Sequence, residues 1–338
     1  MAGMRGPSVI DIAKVCGVSP QTVSRVINGH PSVRDSTRAR VRAALDELGY
    51  TPNRAARALV TGRTGTIGVV SYDVTYFGPA SVLHAVQGAA RARGYAVHVA
   101  TASSITAAAI AEVIQEVSRY GVDGIVVDTP QLVAEPLLDL PPRTPPLVFV
   151  TSLGSPSKPA VGIDDVTGVR RLLEHLIELG HTRIAQISGS KGWFDADGRV
   201  TVWRDVLHQH GLRNDLLWRG DWTPQSGYDA ARDILETSDA TAIFAANDSM
   251  ALGAYKAAAD AGRKLPRDLS IVGYDDSPES PYLMPGLTSV NQNFHALGEL
   301  CMETLIRLVE QHIAPDERLL VTPTLRVRGS SAPPRPQG

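Results

Sequence analysis

Near the start of the chain, apolar residues recur at helical spacing in three short rows. Val9, Ile12, Ala13 and Cys16 stand at i, i+3, i+4 and i+7, one face of a helix. Ser8 ahead of that row and Asp11 three residues on suggest a capping box, and Gly17 breaks the helix. Ser19 is a natural N-cap, and Pro20 suits the first helical position, where a missing N–H costs nothing. The helix this opens turns Val23, Val26 and Ile27 inward, presents Gln21, Thr22, Ser24, Arg25 and Asn28 outward, and stops at Gly29. Val41, Ala44, Leu45 and Leu48 form the third row, ended by Gly49. Two helices of about eight residues joined by Gly17-Val18-Ser19 predict a helix-turn-helix.

From Thr66 the pattern changes. Short β-rich runs at 67–71, 96–101, 124–128, 147–151, 184–188, 242–246 and 270–273 alternate with longer helical stretches, several ending in glycine. This βαβ repetition predicts parallel sheet covered by helices on both faces, with enough chain for two lobes. Between head and body, Asn53 to Leu59 has the makings of one or two helical turns, followed by a Gly/Thr-rich joint. So short a helix is unstable alone, and it is expected to fold only when something packs on it. On its residues alone it fits an ordinary solvated linker as well.

The charge distribution sharpens this division. The chain is formally −2, yet residues 1–63 carry ten Lys/Arg against four acids, a surplus of six positive charges, which leaves −8 on the remainder. A cationic head on an acidic body points the head, and not the body, at a polyanion. Gln pairs bidentately with adenine, Arg with guanine, and Ser or Thr with either, so the outward face of the second helix has base-reading chemistry. The two cysteines, Cys16 and Cys301, lack partners at metal spacing and fall in apolar rows, which fits buried thiols in a reducing compartment. No stretch reaches the ~20 apolar residues of a membrane span, and no secretion signal is read at the start, so a cytoplasmic, nucleoid-associated protein is expected.

The run VIDIAKVCGVSPQTVSRVING at 9–29, followed by TRARVRAALDELGYTPNRAARAL at 37–59, resembles the lactose-repressor (LacI/GalR) family of bacterial regulators. In the body, AANDSMALGA at 245–254 and LSIVGYDDSPES at 269–280 are similar to further signatures of that family. The resemblance implies an all-α helix-turn-helix head plus an α/β periplasmic-binding-protein-like body of two doubly wound parallel-sheet lobes around one effector. The expected boundaries are 1–52 for the head, 53–64 for a hinge helix and linker, and 65–330 for the effector-binding and dimerisation body. Lobe one is then about 65–163 plus 293–318, and lobe two about 164–290 plus 320–330. The Pro-rich residues 331–338 are expected to be disordered; they hold no Leu heptad for tetramers, so a homodimer on a pseudo-palindromic operator is expected.

The resemblance also assigns roles. Gln21, Thr22 and Arg25 would read bases, with Ser19, Pro20 and Ser24 beside them, and Asn28, Thr37, Tyr50 and Asn53 would hold phosphate. Leu59 would wedge into a minor-groove base step, with the small Ala56 letting two hinge helices approach closely. In α/β sheets, ligands bind at the carboxyl ends of strands, which by itself singles out Tyr72, Asp128, Thr151, Asn247-Asp248 and Tyr274-Asp275-Asp276. By resemblance, Arg199, Asn247 and Asp275 make polar effector contacts, and Trp222 and Phe294, the latter two residues after Gln292, match aromatic positions of the galactoside-sensing branch. On residues alone, either aromatic fits a core role as well. Thr151 departs from that branch, which has an acid there, as do Asp128 and Asp195, where it has uncharged polar residues.

No cofactor or metal is expected. Gly189-Ser190-Lys191-Gly192 lacks Walker A spacing, and there is no GxGxxG after the first strand, no GxSxG and no HExxH. These absences argue against an enzyme. The expected function is repression of carbohydrate-use genes, relieved by a small sugar of galactoside-like form. The alternatives are a nucleobase-corepressed regulator, or a sugar-binding protein or α/β enzyme with no regulatory role.

Overall fold

Ser8 opens the first helix as a full capping box: its Oγ accepts from the Asp11 N–H at 3.3 Å, and the Asp11 carboxylate accepts from the Ser8 N–H at 2.9 Å. The computed structural model describes residues 7–27, 29–50, 62–129, 140–151, 159–311 and 319–335. Contacts divide the chain after Thr64 into a head and a body.

The head holds α1 (Val9–Cys16), α2 (Pro20–Ile27) and α3 (Asp35–Glu47). Gly17 ends α1 at φ 60, a left-handed cap that favours glycine. Ser19 caps α2, its Oγ accepting from the Thr22 N–H at 3.1 Å. Ile12, Ala13, Cys16, Val23, Val26, Val33, Val41 and Ala44 make the core. Leu48 was expected on the inward row but is exposed: it is the C-cap of α3, one turn beyond Ala44, the last buried residue of that helix.

The body has two sheets. The first contains β1 (Thr66–Ser71), β2 (Ala96–Thr101), β3 (Gly124–Asp128), β4 (Leu147–Val150), β5 (Ala160–Ile163) and β11 (Leu319–Val321), in the order β11-β5-β4-β3-β1-β2, parallel throughout. The second contains β6 (Ile184–Ser188), β7 (Leu217–Arg219), β8 (Ala242–Ala245), β9 (Ser270–Asp275), β10 (Thr288–Asn291) and β12 (Thr324–Arg326), in the order β12-β10-β9-β8-β6-β7. Here the edge strand β12 runs antiparallel to β10, a departure from the all-parallel expectation.

Helices cover both sheets. Lobe one carries α4 (Phe77–Ala92), α5 (Ala107–Arg119) and α10 (Phe294–Gln311). Lobe two carries α6 (Asp165–Glu178), α7 (Phe194–Gln209), α8 (Pro224–Thr237) and α9 (Asp248–Asp260). The inward stripe of α6, Val169, Leu172, Leu173 and Leu176, is fully buried and has the spacing of one helical face. The chain passes between lobes after β5, after β10 and after β11. The last passage falls later than expected: Leu320 and Val321 pair with β5 in lobe one, so lobe two resumes at β12.

The end of the chain corrects a second expectation. Residues 331–335 pack on lobe two instead of hanging free. Ser331 Oγ lies 2.9 Å from His175 Nε2, and the Ala332 carbonyl accepts from buried His181 Nε2 at 3.0 Å. The Ala332 N–H donates to Ser270 Oγ at 3.1 Å, and Arg335 pairs with Asp268 at 3.0 Å. Proline content signalled disorder in the sequence, but a proline-rich segment loses little entropy when fixed, so a few anchors suffice. Residues 336–338 lie outside the described residues.

Candidate nucleic-acid interface and ligand cleft

On α2 the buried pair Val23 and Val26 turns the opposite face outward, leaving Gln21, Ser24 and Arg25 exposed and Thr22 half-buried. Ser19 Oγ and Thr22 Oγ1 are 2.9 Å apart, so the cap and the first-turn hydroxyl form one polar edge beside exposed Pro20. A helix start with its N–H groups directed outward attracts phosphate. Arg38 spends its guanidinium on the carbonyls of His30 at 2.8 Å and Val33 at 3.3 Å, holding the turn before α3. Thr37 is half-buried on α3, and Tyr50 packs partly against the head core. Asn28, Asn53, Ala56 and Leu59 lie outside the described residues.

The body holds a cleft between its lobes of about 900 Å³, counting its open mouth. Tyr72, Asp128, Thr151, Asp195, Arg199, Trp222, Asn247, Asp275, Gln292 and Phe294 all line it. Strand topology brings them together. Tyr72, Asp128 and Thr151 follow or end β1, β3 and β4 of lobe one, while Trp222, Asn247, Asp275 and Gln292 follow or end β7, β8, β9 and β10 of lobe two. Asp195 and Arg199 lie on the first turns of α7, and Phe294 begins α10.

Arg199 is nearly inaccessible. It donates to the Ala246 carbonyl at 2.7 Å, lies 3.5 Å from Asp165, and stacks on the Tyr274 ring at 3.9 Å. Burial is the largest single influence and pulls its pKa down, but Asp165, Tyr274, Asp195 and Asp275 together outweigh it and the net shift is upward. Gln292 donates to Asp275 at 2.6 Å, yet burial first and Asp248 second hold the Asp275 carboxyl well above its ordinary range. Asp128 is pushed up to about 7, mainly by burial and then by Asp195 across the cleft. Asn247 caps α9 by accepting from the Met250 N–H at 2.8 Å, and donates to the Trp222 carbonyl at 3.1 Å. The capping and ligand readings of Asn247 are therefore compatible: its cap fixes the amide at the cleft wall.

Trp222 sits at φ 75, a left-handed conformation that is costly for a bulky residue and tends to occur at functional sites. Its indole lies directly on Gly189, where an added Cβ would come within 2.0 Å of the ring. The glycine of the failed Walker-like stretch thus makes room for an aromatic wall. Trp193 contacts Trp222 with ring centres 5.7 Å apart, and Tyr72 and Tyr76 at 6.1 and 5.7 Å, so one indole of lobe two bridges to lobe one. Phe77 meets Phe294 edge-on at 5.9 Å. Tyr76, Phe77 and Trp193 were not singled out from the sequence. Tyr76 and Trp193 are the N-cap residues of α4 and α7, in the loops that follow β1 and β6, where no local signal separates a cleft-lining ring from a core one.

Residues 8–53 match the bacterial regulatory proteins of the lacI family, and residues 173–331 match the periplasmic binding protein-like domain. The regulator CelR of Thermobifida fusca is 34% identical to this chain over 98% of it and 100% of CelR. This chain belongs to the LacI family. The lactose operon repressor of Escherichia coli is 29% identical over 98% of this chain and 92% of that protein, and the ribose operon repressor of Escherichia coli 30% over 95% and 98%. The lac repressor dimer bound to operator and the anti-inducer ONPF superposes with a TM-score of 0.85 at 29% identity, covering 97% of this chain and all of that one.

As a member of the LacI family the chain is a DNA-binding transcriptional repressor, with the helix-turn-helix head and two-lobed body of its relatives. Its relatives are transcriptional regulators rather than enzymes. Their names differ in the sugar they mention, so membership leaves the ligand to be argued from the cleft.

Proposed function

We propose that this LacI-family repressor works as a cytoplasmic homodimer whose grip on a pseudo-palindromic operator is controlled by a small sugar of galactoside-like or glycoside form, bound between the lobes. The observation that carries the ligand reading is the joint lining of one cleft by Arg199, Asp275, Asn247 and Gln292 with the rings of Trp193, Trp222 and Phe294. A pyranose packs its C–H face on aromatic rings while its hydroxyls meet acids and amides. A nucleobase is the second reading, favoured by the Trp193–Trp222 wall, on which a planar ring can stack.

In the head, Gln21, Thr22 and Arg25 read base edges. Ser19 and Pro20 set the helix start against phosphate, Ser24 flanks the readers, and Asn28, Thr37, Tyr50 and Asn53 hold the backbone. Leu59 wedges the minor groove, with Ala56 at the hinge contact. Dimerisation uses lobe two, where Leu252, Tyr282 and Met284 are exposed and the Tyr255 hydroxyl ties α9 to the Pro285 carbonyl of the same surface. Effector control follows if the ligand binds two body conformations unequally.

Operator selection from random duplexes over a salt series, followed by thermal-shift screening of sugars and nucleosides, tests the reading. A selected palindrome, released or gripped on adding a stabilising sugar, is expected. No preference for any duplex over random competitor refutes the DNA reading, and stabilisation by nucleobases alone refutes the sugar reading.

A further inference from the structure

Two carboxylates face the cleft from opposite lobes: Asp128 at the end of β3 in lobe one, and Asp195 on the first turn of α7 in lobe two. Among the described residues, Asp128 Oδ2 is buried without a hydrogen-bond partner. Two donors of the same cleft wall are also buried and unpartnered, the Nε–H of Arg199 and the indole N–H of Trp222, on residues only 3% and 8% exposed. Unpaired buried polar groups cost free energy until something supplies their partners.

The signs of these groups restrict what that partner is. Among the described lining residues the guanidinium is that of Arg199, and it is already held by Asp165, the Ala246 carbonyl and the Tyr274 ring. Asp275 adds a third acid to the same wall, held toward its protonated form by burial. Above about pH 7, where Asp128 gives up its proton, a ligand meets carboxylates from both lobes against an aromatic lining, where like charges repel more strongly than in bulk water.

We infer that Asp128 and Asp195 act as a donor-reading clamp that takes a neutral, hydroxyl-rich ligand on both sides of the cleft and rejects its phosphorylated or carboxylated counterparts. Hydroxyls suit all three open groups: they donate to Asp128 and accept from Arg199 and from Trp222. A phosphate accepts only, and brings its charge to the two acids. Since each carboxylate belongs to a different lobe, a ligand that donates to both also relieves the repulsion between them as the lobes meet. Asp128 and Asp195 are thus specificity-determining residues for ligand charge. This inference rests on the cleft being a sugar site.

The test is calorimetry on the full-length repressor at pH 8 with matched probes: lactose and lactose 6′-phosphate, cellobiose and cellobiose 6′-phosphate, and galactose and galactose 6-phosphate. At least one neutral probe is expected to bind, with its phosphorylated partner at least about 100-fold weaker. Asp128→Asn and Asp195→Asn, checked for folding by operator binding and circular dichroism, are each expected to narrow that ratio by about tenfold or more. A phosphorylated probe that binds as tightly as its neutral partner overturns the clamp and leaves the sugar reading standing. An unchanged ratio in both folded variants also overturns it. If neither form of any pair binds, the sugar reading falls and the clamp with it.

Discussion

The guanidinium carbon of Arg199 stands 3.9 Å from the centre of the Tyr274 ring, so α7 and β9 are joined by a cation–π contact inside lobe two. Asp165 completes the group: its Oδ1 accepts from the Tyr274 hydroxyl at 2.7 Å and lies 3.5 Å from Arg199. Asp165 begins α6 just after the first passage between lobes, so this triad sits where the chain changes lobe and where the cleft opens.

Arg199→Ala is therefore expected to cost more than its ligand contacts. It strands the Asp165 carboxylate, and breaking a buried pair on one side costs about 3–5 kcal/mol. Arg199→Lys keeps the charge but loses the planar fork that serves the Ala246 carbonyl and the Tyr274 ring together. Urea midpoints should fall in the order wild type, Lys, Ala. If Ala and wild type unfold together, the triad contributes no stability.

Asp128 gives a pH signature. Its carboxyl ordinarily titrates near 3.8 and is raised in the fold to about 7, by burial first and Asp195 second. Cys301 on α10 also senses its charge, but burial pushes that thiol up and out of the working range. Between the two Asp128 values the folded protein keeps a proton that the unfolded chain releases. Stability from this group is therefore lost as pH rises from about 4 to about 7 and stays lost above. Asp128→Asn should match wild type near pH 4 and become the more stable of the two by pH 8, by at most about 4 kcal/mol. Denaturant melts at both pH values check it; a gap that does not widen with pH means Asp128 ionises freely in the fold.

How much of this was legible in the sequence follows the strength of each periodic signal. Val9, Ile12, Ala13 and Cys16 repeat over two turns with a cap at each end, so α1 was readable to the residue. The strands β1 and β3 are short, Val/Ile-rich runs without polar alternation at their centres, the mark of strands buried on both faces. By contrast, β5, β7, β10, β11 and β12 have three or four residues each, too few for any alternation to stand out. The cleft acids and amides were findable because parallel topology sends strand ends to one side, whatever the ligand. Trp193 was not, because nothing local distinguishes an N-cap tryptophan that bridges lobes from one that packs in a core. The packed tail was hidden for a similar reason: its anchors, His175, His181 and Ser270, are distant in sequence.

Those anchors make a second pH prediction, opposite in sign. Burial lowers the pKa of both His175 and His181, so the fold holds them neutral while the unfolded chain protonates them below about 6.5. Their contribution is thus lost as pH falls through that value. Deleting residues 331–338 removes partners from both rings and should lower stability at pH 8 by roughly 1–3 kcal/mol. At pH 5 the deletion should cost less, because rings opened to water can take up protons in the folded state too. An equal cost at both pH values means the tail does not shield the histidines.

Arg25 tests the head without reference to the ligand. It is exposed on the last turn of α2, on the face opposite buried Val23 and Val26, and burial accounts for none of its position. Arg25→Ala should leave the three-helix core intact, since that core consists of apolar residues with Cys16 among them. If Arg25 reads a guanine edge, its loss should cost about 1–3 kcal/mol on the selected operator and relax preference at one position in each half-site, with the salt slope little changed. If it only neutralises phosphate, affinity should drop evenly across all sequences and the salt slope should shrink by about one. Selecting operators with both proteins side by side, at two salt concentrations, separates these outcomes. A uniform loss would transfer base reading to Gln21 and Thr22 on the preceding turn and leave Arg25 as a backbone contact.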